Sequence, residues 1–189
     1  MSQRASGYAR RANEDYPTPD WVTAAIAEYL RCRAFHIWEP AAGHGALAKA
    51  LTAGGFRVVA TANDFLRHSA PPDLWIEAIV TNPPYGSDRR GALACDFIRH
   101  ALSLDVQIVA MLLRVDFDSA KTRVDLFRDN SIFAGKIVLL DRIKWFPGDS
   151  GPSDNHAWFV WNRGLDRRGA PWIEYKEAAA RITAEARAA

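Results

Sequence analysis

Apolar positions along this chain follow two rhythms, and their alternation predicts the architecture. Residues 1–15 are polar, arginine-rich and without period, and read as a flexible basic arm. "YPTPDWVTAAIAEYL" then opens on a turn and places Trp21, Ala25 and Leu30 at helical spacing. Thr18 or Asp20 is the expected cap of this helix, with Pro19 near its first turn. Beyond it, short apolar runs alternate with helical stretches. "AFHIWEP" predicts a first strand, "GALAKALTAGG" a helix stopped by Gly54 and Gly55, and "FRVVATA" a second strand. "WIEAIVTNPPY" supplies another strand, "ALACDFIRHALSL" a helix, and "VQIVAMLLR" a strand too apolar to be half exposed. Such alternation predicts an α/β domain with a largely parallel sheet.

The last third breaks the alternation. "KIVLLDRIKWF" and "HAWFVWN" read as strands separated only by the polar "PGDSGPSDN", which has no room for a crossover helix. The pair is therefore expected to be an antiparallel hairpin at a sheet edge. "EAAARITAEARAA" reads as an alanine-rich helical tail. The expected organisation is an arm over 1–15, a single domain over 16–175 and a tail over 176–189.

A chain of 189 residues, 49% apolar and 24% charged, suits one globular domain with a sizeable core. No apolar run approaches the roughly 20 residues that span a bilayer, and "MSQRASGYARR" lacks the apolar centre of a signal peptide. A soluble cytoplasmic protein without a membrane partner is expected. Cys32 and Cys95 lie far apart with no metal-type spacing, so reduced, buried thiols are expected and no metal site. The net charge of +2 does not by itself indicate nucleic acid, but arginines cluster at Arg4, Arg10 and Arg11, at Arg89 and Arg90, and at Arg167 and Arg168.

Three segments carry candidate chemistry. In "EPAAGHG", at the predicted end of the first strand, Gly43 and Gly45 let the backbone turn sharply and approach a ligand. No Gly-Lys-Ser/Thr follows, and the dinucleotide pattern Gly-x-Gly-x-x-Gly is absent. A carboxylate such as Glu39 repels phosphate and attracts ammonium, so the implied cofactor resembles an amino acid. In "NDFL", Asp64 can accept from ribose hydroxyls or an adenine amino group with Phe65 on the purine face, or simply cap a turn beside a core ring.

The third segment is "TNPPYG". An asparagine oxygen beside a proline-fixed carbonyl offers two acceptors to one NH₂ group, and Tyr85 can stack on the ring that bears it. Accepting both protons draws the nitrogen lone pair out of conjugation and leaves it free to attack an electrophile.

"EPAAGHG" followed by "TNPPYG" resembles the cofactor and catalytic motifs of S-adenosylmethionine-dependent amino-methyltransferases, in the order found in DNA adenine-N6 methyltransferases. Together with "YPTP", "DFL", "FIRHAL", "VAMLLRVDF" and "HAWFVW", the stretch 16–163 is similar to small phage- and prophage-encoded methyltransferases. The resemblance implies a Rossmann-like class I methyltransferase fold, a mostly parallel sheet of about seven strands with a reversed edge hairpin. It implies S-adenosyl-L-methionine as cofactor, with Tyr16, Thr18 and Pro19 over its methionine part. Glu39, Pro40, Ala41, Gly43 and Gly45 match the turn beneath the amino-acid moiety, and Asp64 with Phe65 the adenine-binding pair. Asn82, Pro83 and Tyr85 match the catalytic corner where cofactor and substrate meet, and Pro84 holds its shape.

This chain departs from the family twice. An acidic residue closing the second strand and a separate "DFL" are run together in "VVATANDFL", so Asp64 serves ribose, adenine or both, and the third strand is expected to be short or missing. A separate target-recognition region also has no room. Specificity is then expected from "GSDRRGAL", from the hairpin loop, or from a second subunit, a homodimer partner or an accessory chain. Arg89, Arg90, Asp116 and His156 are the candidate substrate contacts, while His44 reads as a solvent-facing spacer.

The expected activity is methylation of a nucleobase exocyclic amine, N6 of adenine in DNA. The same corner can hold cytosine N4, an RNA base or a protein glutamine. Cytosine-N4 enzymes more often have serine in place of the asparagine, and glutamine methyltransferases usually lack the Glu-Pro. The rival class is a catalytically idle phage protein that binds cofactor or DNA.

Overall fold

The computed structural model describes residues 16–62, 64–85, 91–146, 154–165 and 171–178. The expected arm at 1–15, Arg89, Arg90, Arg167, Arg168, most of the loop between the last two predicted strands and residues 179–189 lie outside them. Helix α1 (Asp20–Leu30) leads into strand β1 (His36–Glu39), helix α2 (Ala46–Ala53) and strand β2 (Arg57–Ala60). Strand β3 (Ala78–Thr81), helix α3 (Ala92–Ser103) and strand β4 (Ile108–Arg114) follow, then strands β5 (Phe133–Leu139), β6 (His156–Asn162) and β7 (Trp172–Lys176).

The seven strands form one sheet in the order β2-β1-β3-β4-β6-β5-β7. The pairs β1–β2, β1–β3, β3–β4 and β5–β7 are parallel, whereas β6 runs antiparallel to both β4 and β5. Side chains alternate across a strand, and here both directions are buried. Ile37, Val80, Leu112 and Trp158 pack with Ile26, Leu30 and Leu51 of α1 and α2 on one face. Trp38, Ile79, Met111 and Trp161 pack with Phe97 and Ile98 of α3 on the other. The near-continuous apolar reading of "VQIVAMLLR" follows from this: β4 is central and covered on both sides. Buried indoles find acceptors, Trp158 donating to the Val22 carbonyl at 2.8 Å and Trp161 to the Leu126 carbonyl at 2.7 Å.

As expected, the third strand of the family pattern is missing among the described residues: Phe65–Arg67 forms a 3₁₀ turn, and the chain next enters the sheet at Ala78. Other expectations need correction. The β5–β6 hairpin is antiparallel as expected but does not form the edge, because β7 pairs with β5 beyond it. "KIVLLDRIKWF" is strand only to Leu139, since β5 starts at Phe133 and residues 140–146 leave the sheet. Lys176 closes β7 rather than opening a helical tail. Cys95 is buried, but Cys32 is exposed. Among the described residues no helix is long and apolar enough to cross a membrane.

The entrance of α1 also differs from expectation. Its cap is Pro19, whose carbonyl accepts from Val22 at 3.1 Å and from Thr23 at 3.2 Å, and no side chain caps the helix. Asp20 lies in the first turn, while Thr18 turns elsewhere.

Candidate active site

A cleft of about 430 Å³ opens at the carboxyl ends of β1, β2 and β3. Parallel sheets place ligands there, because the connections leaving those strand ends diverge toward opposite faces. Tyr16 and Thr18 form one wall. Glu39, Pro40, Ala41 and Gly43 form the floor, and Asn82, Pro84 and Phe97 line the far side.

The glycine turn makes the floor. Gly43 has φ 49° and Gly45 φ 76°, left-handed values that other residues adopt only at a cost. A Cβ built on Gly45 would meet nothing within 4 Å, so open space lies above the backbone where α2 begins. The turn is tied to the end of β2 by the Ala42 amide, which donates to the Thr61 carbonyl at 3.0 Å.

Glu39 is 2% exposed and its Oε2 has no hydrogen-bond partner. Desolvation pushes its pKa up from 4.5 to about 7, against a smaller opposing effect of the Ala48 amide in the first turn of α2. A buried carboxylate with one unsatisfied oxygen is costly alone and well suited to a cation with N–H donors.

Asn82 follows β3 directly. Its Nδ2 donates to the Tyr16 carbonyl at 3.3 Å and to Thr18 Oγ1 at 3.4 Å. Pro83 is buried behind Pro84, which faces the cleft. The Tyr85 hydroxyl donates to the Leu112 carbonyl at 3.0 Å, and its ring packs on the core beside α3, so this ring is anchored to β4 rather than lining the cleft.

Asp64 and Phe65 do not come to the cleft in this structure. Phe65 is 1% exposed, edge-on to Trp38 and tilted against Phe97, and the exposed Asp64 pairs with Arg67 at 2.9 Å. Asp116 is exposed and pairs with Arg114 at 3.1 Å. His156 is buried at the start of β6, its pKa pushed down to about 4 by desolvation, and its Nδ1 has no partner. It is linked to the cleft only through rings: Trp145 stands edge-on to His156 at 5.3 Å and to Tyr16 at 5.4 Å, with Phe146 5.8 Å from Tyr16. Trp145 and Phe146 were hidden from sequence reasoning inside a run that looked like strand. The signal against that was the Pro147-Gly148 directly after them.

The fold superimposes on several solved structures. A protein from Listeria monocytogenes assigned to the class I S-adenosylmethionine-dependent methyltransferases superimposes with a TM-score of 0.62 at 13% identity, over 96% of this chain and 72% of the other. The fold is that of the class I methyltransferases. A modification subunit assigned to a type I restriction enzyme of Vibrio vulnificus matches at TM-score 0.56 and 12% identity, over 86% of this chain and 47% of that one. A Pyrococcus horikoshii protein assigned as an RNA methyltransferase matches at 0.59 and 13%, over 79% and 87%. No family model and no curated protein matches the sequence.

Proposed function

We propose that this chain is an S-adenosylmethionine-dependent methyltransferase acting on the exocyclic amino group of a nucleobase, N6 of adenine in DNA. The observation that carries the reading is that one cleft of a class I methyltransferase fold gathers Glu39, a buried carboxylate with one unsatisfied oxygen, and the proline-braced amide of Asn82. The residues present fit the cofactor. Glu39 offers its free oxygen to an α-ammonium group, and the left-handed turn at Gly43 presents side-chain-free backbone to the amino-acid moiety on the cleft floor. When bound, S-adenosylmethionine supplies an electrophilic methyl group on a sulfonium.

The chain's own residues activate the amine. Asn82 Oδ1 and the Pro83 carbonyl accept its two protons, which pulls the nitrogen lone pair out of the ring system and fixes its direction. In a duplex the base must leave the stack, at a cost of a few kcal/mol. Arg89 and Arg90, just past the corner in sequence, are the phosphate contacts of this reading, and the exposed Asp116 a further substrate contact. In this reading target choice is carried by the loops around the cleft or by a second subunit.

The test is incubation with labelled S-adenosylmethionine and duplex DNA, single-stranded DNA, RNA or protein, followed by digestion. Label in N6-methyladenine is expected, and label confined to protein overturns the reading. Asn82→Ala is expected to retain cofactor binding and to lose transfer; surviving activity would remove the corner from the mechanism.

A further inference from the structure

Thr18 is a residue type that caps helices and stands two residues before α1, yet it caps nothing. It is 4% exposed, and its hydroxyl instead accepts a hydrogen bond from Asn82 Nδ2 at 3.4 Å, while the Tyr16 carbonyl accepts from the same nitrogen at 3.3 Å. We infer that the strap Tyr16-Pro17-Thr18 sets which end of the Asn82 amide meets the substrate, with Thr18 as a positioning residue. This inference rests on the amino-methyltransferase reading of the cleft.

A primary amide has two ends of the same shape and opposite polarity. A carbonyl has no proton to give, so the amide end facing Tyr16 must be the NH₂. Both protons of Nδ2 are then used. Oδ1 has no partner among the described residues and is not sealed from solvent, so it is the end left for an incoming amino group. Turned by half a rotation, the amide would set Oδ1 against the Tyr16 carbonyl oxygen and offer N–H to a substrate N–H, donor against donor.

The strap is stiff for a local reason. Pro17 and Pro19 bracket Thr18, and a residue before proline is held extended, so the carbonyl at 16 and the hydroxyl at 18 keep their register without help from the helix. Two proline-braced segments, Tyr16–Pro19 and Asn82–Tyr85, thus meet at one amide.

Thr18→Val removes the hydroxyl at nearly constant volume, and Thr18→Ser keeps it. For Thr18→Val we expect kcat for amine methylation to fall about tenfold, about 1.4 kcal/mol, while Kd for S-adenosylmethionine rises by a clearly smaller factor, with Thr18→Ser within about threefold of the native chain in both. A Thr18→Val kcat equal to that of the native chain overturns the inference, as does a fall matched by an equal loss of cofactor affinity. If Thr18→Val does not fold, Pro17→Gly, at an exposed position, loosens the same strap and is expected to lower kcat about threefold. A second readout needs no turnover. The two Asn82 side-chain amide protons are expected to exchange slowly with solvent, and Thr18→Val (or Pro17→Gly) to shift and speed at least one; an unchanged pair overturns the inference. A native chain that methylates no amine while these protons behave as stated removes the functional reading and leaves the anchoring intact.

Discussion

Glu39 and His156 give this molecule two buried titrations of opposite sense. Glu39 has its folded-state pKa raised from 4.5 to about 7, so between those values the folded chain keeps a proton that the unfolded chain releases, and stability falls as pH rises. His156 has its pKa lowered from 6.5 to about 4, so the unfolded chain takes the proton there, and stability falls as pH drops from about 6.5 toward 4. The two slopes oppose each other over pH 4.5–6.5. Glu39→Gln is expected to expose the histidine slope, its stability relative to the native chain improving by on the order of 3 kcal/mol between pH 4 and pH 8. Urea unfolding at the two pH values checks this, and a constant difference contradicts it. The glycine turn after Glu39 and the proline-braced corner at Asn82 were legible in the sequence. That Glu39 is left with an unpaired oxygen, and that Thr18 serves Asn82 rather than α1, were not, because both depend on contacts with segments distant in the chain.

At the scale of elements, β6 coincides with its sequence reading, and α1, α2, β1, β2, α3 and β4 are found within or close to theirs, because each carries a period or an apolar run that no alternative element satisfies. The errors fall where pairing decides. β7 is a short strand with Ile173 and Tyr175 exposed, and only its parallel partner β5 makes it a strand. Their junction is close: a Cβ on Gly135 would overlap the Trp172 carbonyl oxygen and come within 2.7 Å of Trp172 Cδ2. Gly135→Ala is accordingly expected to cost about 1–3 kcal/mol and to speed amide exchange in β7 more than in β3. Equal protection of β7 in variant and native chain would show that the edge does not depend on this contact.

For the whole molecule, cofactor binding and folding are linked through one cleft built from three strand ends and the strap before α1. Under the proposed function, S-adenosylmethionine at a hundred times its Kd is expected to stabilise the chain by about 2.7 kcal/mol. At a fixed free concentration the gain is expected to be larger at pH 8 than at pH 5.5, since ionised Glu39 is the form that holds an ammonium group. Thermal unfolding with and without cofactor at both pH values measures it, and a gain that shrinks at pH 8 assigns the ammonium to another partner. The sequence by itself determined the α/β class, the position of the glycine turn and the identity of the amide corner, because strand period, turn chemistry and proline geometry are local properties. The tertiary structure alone decided that Phe65 belongs to the core, that β7 rather than the hairpin closes the sheet, and that a threonine 64 residues away holds Asn82. Those outcomes turn on which distant surfaces meet, and burial and polar pairing, rather than any local pattern, select them.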